Sequence, residues 1–355
     1  MASFSIKPLE TLPETPPWDP ASVNIAMNLR MDAAFVPRAD GDGARVSYSH
    51  VVVLDNFFTE VQRVAMLAAI ADDDTANSQG GPGPPSHKWE RRTADGAGLP
   101  PTWGLQPDAM AQLQACDAGT PLGRAMREVH GRLCALYPHY LIGHMPSEAI
   151  QGAAMVEDEQ GGAEGEVEED TPTVQETGCE GYGDDQPPPK RARRQVDCGR
   201  FVANAAVAGD CFQWHIDADP SAFWPGAWVE RFGHYFNGEP GRPLLVTLLL
   251  YLDDEWPRGF DAETLFLDGG SDTGVLVRPR AYRAVLMDQD VLHRLSVPSA
   301  AAGRPRYSLV WKLVFCARDA VTPCIAQPAW GVPVDFGTAA RMRALRHAVN
   351  LKDSL

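Results

Sequence analysis

Two potential metal ligands, His215 and Asp217, lie two residues apart in the segment CFQWHID at 211–217. This segment predicts a β-strand, in which alternate side chains leave the same face, so that both ligands can bind one ion. A third potential ligand, His293, begins another predicted strand. Two imidazoles and one carboxylate form the set that binds non-haem Fe(II) and leaves coordination positions open. The alternative is that the pair has no metal role, because short His/Asp pairs also arise by chance.

A cation and a hydroxyl follow on the next predicted strand. In the segment RYSLVW, Arg306 and Ser308 share one face of the strand, while Tyr307, Leu309 and Trp311 share the other. Burial of a guanidinium inside a β-barrel costs free energy unless an anion pairs with it. The planar guanidinium fits a carboxylate, which it can bind through two parallel hydrogen bonds. The site therefore predicts a carboxylate ligand; the alternative is a solvated arginine on an outer face.

The segments that position these residues have the alternating apolar and polar side chains that are typical of β-strands. After residue 196 the apolar pattern has a period of two, and short runs are separated by turn residues. The predicted strands are 200–208, 211–217, 244–252, 263–267, 274–278, 283–287, 293–297 and 306–316. Eight evenly spaced short strands favour a double-stranded β-helix, or jelly roll, which buries one face of each strand.

Helices flank this core in the prediction. A strand at 50–57 leads into a helix at 59–71, whose apolar positions Val61, Val64, Leu67 and Ile70 have helical spacing. Further helical patterns occupy 108–116, 122–136 and 337–350. The predicted fold class is therefore mainly β with flanking helices (α+β), with an N-terminal helical layer.

Residues 151–196 differ from the rest of the chain in composition. They hold twelve acidic and four basic residues, so that they carry half of the formal net charge of −16. With so few large apolar side chains, the segment predicts a disordered acidic insertion. The predicted organisation is a loosely ordered arm (1–45), the first strand and helices of the domain (46–150), the insertion (151–196), the β core (197–318) and a C-terminal extension (319–355).

The basic cluster at 187–194, at the end of the insertion, predicts recognition by a nuclear import receptor; the alternative is a solvated charge run in a flexible loop. The acidic balance disfavours nucleic acid as a partner and gives no attraction to an anionic membrane. The sequence lacks a secretory signal, a membrane-spanning apolar run and a CxxC cysteine pair. We therefore expect a soluble intracellular protein with reduced thiols, in the nucleus or the cytoplasm.

Five short motifs follow one another in the second half of the chain: His215-Ile-Asp217, Tyr251-Leu-Asp-Asp-Glu-Trp256, Glu263-Thr264, Asp290-Val-Leu-His293 and Arg306-Tyr-Ser308. Their order, spacing and strand context resemble the Fe(II)/2-oxoglutarate-dependent dioxygenases, in their prolyl 4-hydroxylase-like branch. The resemblance covers roughly residues 197–318, with 50–71 as the start of the same domain.

The resemblance implies a role for each matching residue. His215, Asp217 and His293 would bind Fe(II), Arg306 would bind the distal carboxylate of 2-oxoglutarate together with Ser308, and Tyr251 would assist. O2 would be the second cosubstrate and ascorbate a reductant. The implied reaction hydroxylates a C–H bond, with release of succinate and CO2.

The prolyl hydroxylase-like branch suggests a protein or peptide side chain as substrate, and the aromatic-rich loop 218–242 is placed where it could cover a peptide. One alternative is an oxidative demethylase of nucleic acid. Another is a catalytically inactive nuclear interaction module on the same fold.

The chain departs from the family pattern at two places. Asp261 and Ala262 stand where the family has paired glycines, a departure that concerns the shape of the entry to the next strand and not the metal site. The turn 298–305 is longer than usual and contains a second arginine, Arg304. Pro305 takes Arg304 out of regular strand pairing, so Arg306 is the preferred carboxylate ligand and Arg304 the alternative.

Overall fold

The computed structural model describes residues 4, 6, 9, 18–31, 49–71, 85–91, 102–151, 199–239, 241–318 and 334–352. Nearly all of the predicted acidic insertion, with the basic cluster at 187–194, lies outside these residues. Across the described part of the chain, every helix is too short or too polar to span a bilayer.

The strands, in chain order, are β1 (Asn24–Arg30), β2 (Val51–Asp55), β3 (Trp89–Arg91), β4 (Trp103–Leu105), β5 (Tyr140–His144), β6 (Phe201–Ala206), β7 (Leu244–Tyr251), β8 (Thr264–Asp268), β9 (Thr273–Val277), β10 (Ala284–Asp288), β11 (His293–Leu295), β12 (Arg306–Ala317) and β13 (Val334–Asp335). The helices are α1 (Glu60–Ile70), α2 (Pro107–Ala115), α3 (Pro121–Leu136), α4 (Ser147–Gln151), α5 (Ala227–Phe232) and α6 (Thr338–Lys352).

The strands form one large sheet and two small ones. The main sheet has the order β13-β1-β2-β10-β7-β12-β5, and β6 also pairs with β12. All of its pairings are antiparallel except that of β1 with β13. The second sheet has the order β11-β8-β9, and β3 and β4 form a separate pair. The chain is therefore sheet-rich with flanking helices.

The main sheet buries both of its faces. The helix face carries Leu250, Leu309 and Trp311, which share an apolar cluster with Met66 of α1 and Val129 of α3. The inner face carries Leu249, Tyr251 and Val310, which cluster with Phe266 and Val277 of the second sheet. Because strand side chains alternate, β7 and β12 each contribute to both clusters.

Most of the predicted elements are confirmed. The helices predicted at 59–71, 108–116, 122–136 and 337–350 are α1, α2, α3 and α6, with ends within two residues of the prediction. Seven of the eight strands predicted after residue 196 are present as β6 to β12.

The strand predicted at 211–217 is wrong. Only His215 forms a β-bridge there, through its N–H to His293 O at 3.0 Å and its carbonyl to His293 N at 2.9 Å. The partner strand β11 has only three residues, and no residue of 211–217 is fully buried, so neither a ladder nor a buried face supports a longer strand.

The predicted apolar face of α1 is confirmed only in its second half, where Ile70 is buried and Leu67 packs against the same apolar cluster. Val61 is 79% exposed and Val64 is 49% exposed, whereas Gln62 and Arg63 are buried. Gln62 belongs to the capping box with Thr59. The Arg63 guanidinium donates to the carbonyl of Leu252 at 2.8 Å, which turns this polar edge of the helix inward.

Strand β1 lies within the segment for which a loosely ordered arm was predicted. Ile25, Met27 and Leu29 alternate along it, and it pairs with β2 and β13. This short period-two pattern is sufficient for a strand because β2 offers an antiparallel partner. Residues 24–30 of the predicted arm are therefore part of the main sheet.

Candidate metal centre and anion pocket

The three predicted metal ligands come together. One ligand atom from each of His215, Asp217 and His293 lies within 4.8 Å of the others, and within the described residues this is the sole group of three or more such side chains. The two imidazole rings are 4.4 Å apart between centroids. The backbone bridge between His215 and His293 sets this distance, and Asp217 N donates to the carbonyl of Gln289 at 2.7 Å.

Hydrogen bonds to backbone carbonyls fix the histidine tautomers. Nδ1 of His215 lies 2.9 Å from the carbonyl of Gln213, and Nδ1 of His293 lies 2.8 Å from that of Val291. A carbonyl oxygen only accepts, so each Nδ1 carries the proton and each Nε2 keeps a free lone pair. That is the arrangement in which an imidazole binds a metal ion.

Both oxygens of the Asp217 carboxylate have polar neighbours. Thr247 Oγ1 donates to Oδ2 at 2.5 Å, and Lys312 Nζ lies 3.7 Å from Oδ1. Burial alone would raise the pKa of Asp217, but Lys312, His293 and the Thr247 hydroxyl outweigh it and lower that pKa. Burial is the main cause that lowers the pKa of His293. A charged carboxylate and a neutral imidazole are the protonation states that metal binding requires.

The second predicted group, around Arg306, is buried on the inner face. Arg306 is 2% exposed, and its Nη1 donates to Ser308 Oγ at 3.0 Å. Its guanidinium carbon lies 4.7 Å from the centroid of the Tyr251 ring. The Tyr251 hydroxyl is 2.8 Å from Thr264 Oγ1 on the second sheet. The structure thus brings Arg306, Ser308 and Tyr251 together, and Arg306 is not the solvated outer-face arginine of the alternative interpretation.

The Arg306 fork is incompletely satisfied by the described residues. Its Nε and Nη2 are buried and have no hydrogen-bond partner there. A buried charged donor without an acceptor is costly, and native structures rarely keep one without a ligand or water. The two N–H groups can therefore donate to a planar anion such as a carboxylate.

Arg304, the alternative ligand, faces outward. Its side chain is 36% exposed and donates to the Glu255 carbonyl. It also lies 3.5 Å from the Asp254 carboxylate and over the Trp256 ring at 5.6 Å. These contacts hold Arg304 on the surface, away from the pocket of Arg306.

The two residues that replace the expected glycines adopt glycine-like backbone angles. Asp261 has φ 55° and Ala262 has φ 59°. Trp256 Nε1 donates to the Asp261 carbonyl at 2.8 Å, and Asp261 pairs with Pro298. The entry to β8 therefore has positive φ angles without glycine. The hydrogen bond from Trp256 and the pairing with Pro298 offset the conformational free energy that these angles cost.

Two buried charged residues beside the site were not singled out from the sequence. Lys312 shares the inner face with Arg306, and its even position in β12 is a signal that could have found it. Asp253 accepts from the Tyr307 N–H at 3.1 Å. Burial raises the pKa of Asp253 to about 7, against the opposing charges of Arg306 and Arg304. No local pattern marks Asp253, because its burial depends on the packing of β12.

No protein-family profile matches the chain. No curated protein matches it either.

Several solved structures are similar over part of the chain. A prolyl 4-hydroxylase of Phytophthora capsici is 25% identical over 36% of this chain and 36% of that one, with a TM-score of 0.22. A prolyl hydroxylase of Trichoplax adhaerens, solved with a hypoxia inducible factor peptide fragment, is 16% identical over 33% of this chain and 43% of that one, with a TM-score of 0.22.

A third neighbour, an oxidoreductase of the 2OG-Fe(II) oxygenase family from Burkholderia pseudomallei, is 13% identical. It covers 78% of this chain and 88% of its own, with a TM-score of 0.30. The chain spans less than half the length of the two prolyl hydroxylases that it matches. TM-scores of this size decide neither fold nor activity, so both rest on the geometry of the chain itself.

Proposed function

We propose that the chain is an Fe(II)- and 2-oxoglutarate-dependent dioxygenase of the prolyl 4-hydroxylase-like branch. In this proposal the main and second sheets form a double-stranded β-helix, and α1, α2 and α3 form its N-terminal helical layer. The observation that carries the proposal is the buried Arg306 fork with two unpartnered N–H groups, on the sheet face that also supplies Thr247 to the carboxylate of Asp217.

The donor set fits Fe(II). Two imidazoles with free Nε2 lone pairs and one charged carboxylate match the ligands of non-haem iron sites, and they leave coordination positions for other molecules. Bound iron would supply the redox chemistry that couples decarboxylation of 2-oxoglutarate to hydroxylation of a C–H bond. The chain's own residues hold the ligand atoms within reach of one another and orient both imidazoles through their Nδ1 hydrogen bonds.

The anion pocket fits one end of 2-oxoglutarate. The distal carboxylate would accept from Nε and Nη2 of Arg306, while Ser308 holds Nη1 and the Tyr251 ring covers the guanidinium. A charge-assisted bidentate pair in a dry pocket gives both affinity and orientation. The keto acid would then extend towards the three metal ligands.

A protein or peptide side chain is the substrate that we favour. The segment after the metal ligands exposes Trp224 by 50% and Phe236 by 52%, while Phe223 and Trp228 anchor it in an apolar cluster. Ile216, between the two metal ligands, is 37% exposed, so the ligand segment reaches the surface. Exposed aromatic side chains on an anchored loop are typical of peptide-binding surfaces.

Turnover without a substrate tests the reaction class. Purified chain with Fe(II), 2-oxoglutarate, O2 and ascorbate as reductant should release succinate and CO2 in equal amounts. His293→Ala should release neither above the rate of iron without protein, since it lacks one of three ligands. Equal succinate release by both proteins would refute the proposal. A hydroxylation screen of peptides and cell lysate by mass spectrometry then identifies the substrate.

We also propose that a nuclear import receptor recognises the basic cluster at 187–194. A tagged chain should accumulate in the nucleus, and deletion of 187–194 should return it to the cytoplasm. A matched deletion of eight acidic or glycine residues between 157 and 170 should not change the distribution. Nuclear accumulation without the cluster would show that it is a solvated spacer.

A further inference from the structure

The side chain of Lys312 lies against the metal-binding carboxylate, and none of the sequence motifs includes it. Lys312 is 3% exposed, and its Nζ is 3.7 Å from Oδ1 of Asp217. Thr247, its register partner on β7, donates to Oδ2 of the same carboxylate at 2.5 Å. One pair of facing residues on adjacent strands therefore contacts both oxygens of the ligand.

The positive charge of Lys312 gives this side chain an electrostatic role in addition to packing. A buried ammonium is costly unless an opposite charge meets it, and Asp217 provides that charge. An ion bound to this carboxylate would lie within a few ångströms of the ammonium. At an effective dielectric constant of about 20, one unit charge about 6 Å from another changes an equilibrium roughly a hundredfold, before screening by solvent.

We propose that Lys312 is a positioning residue of the metal centre, which orients the carboxylate of Asp217 and biases bound iron towards Fe(II) over Fe(III). This inference rests on the proposed function. The oxidised ion carries one more positive charge, so a fixed cation beside the ligand raises its free energy more than that of the reduced ion. Groups around the ligands are established controls of metal redox properties.

The reduction potential of the bound iron tests this directly. In the iron-loaded full chain without 2-oxoglutarate, Lys312→Met should lower the Fe(III)/Fe(II) potential by at least about 59 mV, which is a tenfold change in the ratio of the two ions. Lys312→Arg keeps the charge and should restore most of the wild-type potential. Spectroelectrochemical titration measures all three proteins.

Two further variants separate charge from other effects. Thr247→Val removes the hydroxyl from Asp217 without changing charge, and it should shift the potential less than Lys312→Met does. Lys88→Met, at a lysine whose Nζ donates to the carbonyls of Ala68 in the last turn of α1 and of Ala71 just after it, should leave the potential unchanged. If Lys312→Met does not fold, the neutral and hydrogen-bonding Lys312→Gln carries the same prediction.

The outcomes distinguish the inference from the proposed function. Failure of the wild-type chain to bind Fe(II) would overturn the proposed function and the inference with it. Iron binding by all the proteins, with the same potential in wild type and Lys312→Met, would overturn the inference alone. A potential that falls in Lys312→Met and returns towards the wild-type value in Lys312→Arg supports the inference. A purely structural role of Lys312 would not depend on the charge of the side chain.

Discussion

The two faces of β12 are made of alternate residues of one strand, yet only one of them buries charged side chains. Leu309 and Trp311, towards α1 and α3, are fully buried among apolar side chains. Arg306, Ser308 and Lys312, towards the second sheet, are equally buried but polar or charged. The helix face can gain stability from burial alone, whereas the inner face needs partners or ligands for its polar groups. The difference suggests that stability and chemistry are separable within this one strand.

Removal of a metal ligand should have the largest effect on the chemistry and little effect on stability. His215→Ala should abolish Mn(II) binding, because two ligands do not hold the ion. Its free energy of unfolding without metal should stay within about 1 kcal/mol of wild type, since His215 is only partly buried. Calorimetric metal titration and denaturant unfolding measure the two quantities. A variant that kept Mn(II) affinity would remove His215 from the ligand set.

Trp311→Ala should show the reverse behaviour. Its indole is fully buried and its Nε1 donates to His144 Nδ1 at 2.8 Å, so the change should cost about 3 to 5 kcal/mol of unfolding free energy. The folded fraction at low temperature should still bind Mn(II). Trp256→Ala, near the surface arginine Arg304, is a matched control that should cost less. If Trp311→Ala lost metal binding while fully folded, the two faces would not be separable.

Low pH should lower the free energy of unfolding because His144, which packs on the helix face, is partly buried. Burial is the main cause that lowers the pKa of His144 to about 4, from an ordinary value near 6.5. Between these values the unfolded chain binds a proton that the folded chain does not, so stability falls as the pH drops from about 6.5 to 4. His144→Gln should remove about 1 to 2 kcal/mol of the loss between pH 7 and 5. Urea unfolding at both pH values checks this, and an unchanged pH dependence would contradict the assignment.

Much of the strand pattern and of the site could be predicted from sequence. The alternation along 306–316 places Arg306 and Ser308 on one face and Trp311 on the other, as the structure has them. The same rule predicts that Lys312 lies on the inner face, although no motif marked it. The alternating sequence pattern predicts the two faces of β12 correctly because neighbouring elements bury both of them.

Packing at a distance explains what the sequence could not predict. The exposed face of α1 with Val61 and Val64 depends on Arg63 reaching the carbonyl of Leu252, which is 189 residues away in sequence. The absence of a strand over 211–217 depends on the shortness of β11. The left-handed backbone of Asp261 is set by its pairing with Pro298. None of these contacts is local in sequence.

Titration of 2-oxoglutarate into the Mn(II)-loaded, iron-free chain tests most directly whether the inner face of β12 binds a dicarboxylate. Arg306→Ala should raise the Kd at least about tenfold, a loss of about 1.4 kcal/mol or more. Arg306→Lys should recover only part of this affinity, because an ammonium lacks the planar fork. Arg304→Ala, at the exposed neighbour, should leave the Kd nearly unchanged. A larger loss for Arg304→Ala, or wild-type affinity in Arg306→Ala, would contradict the account.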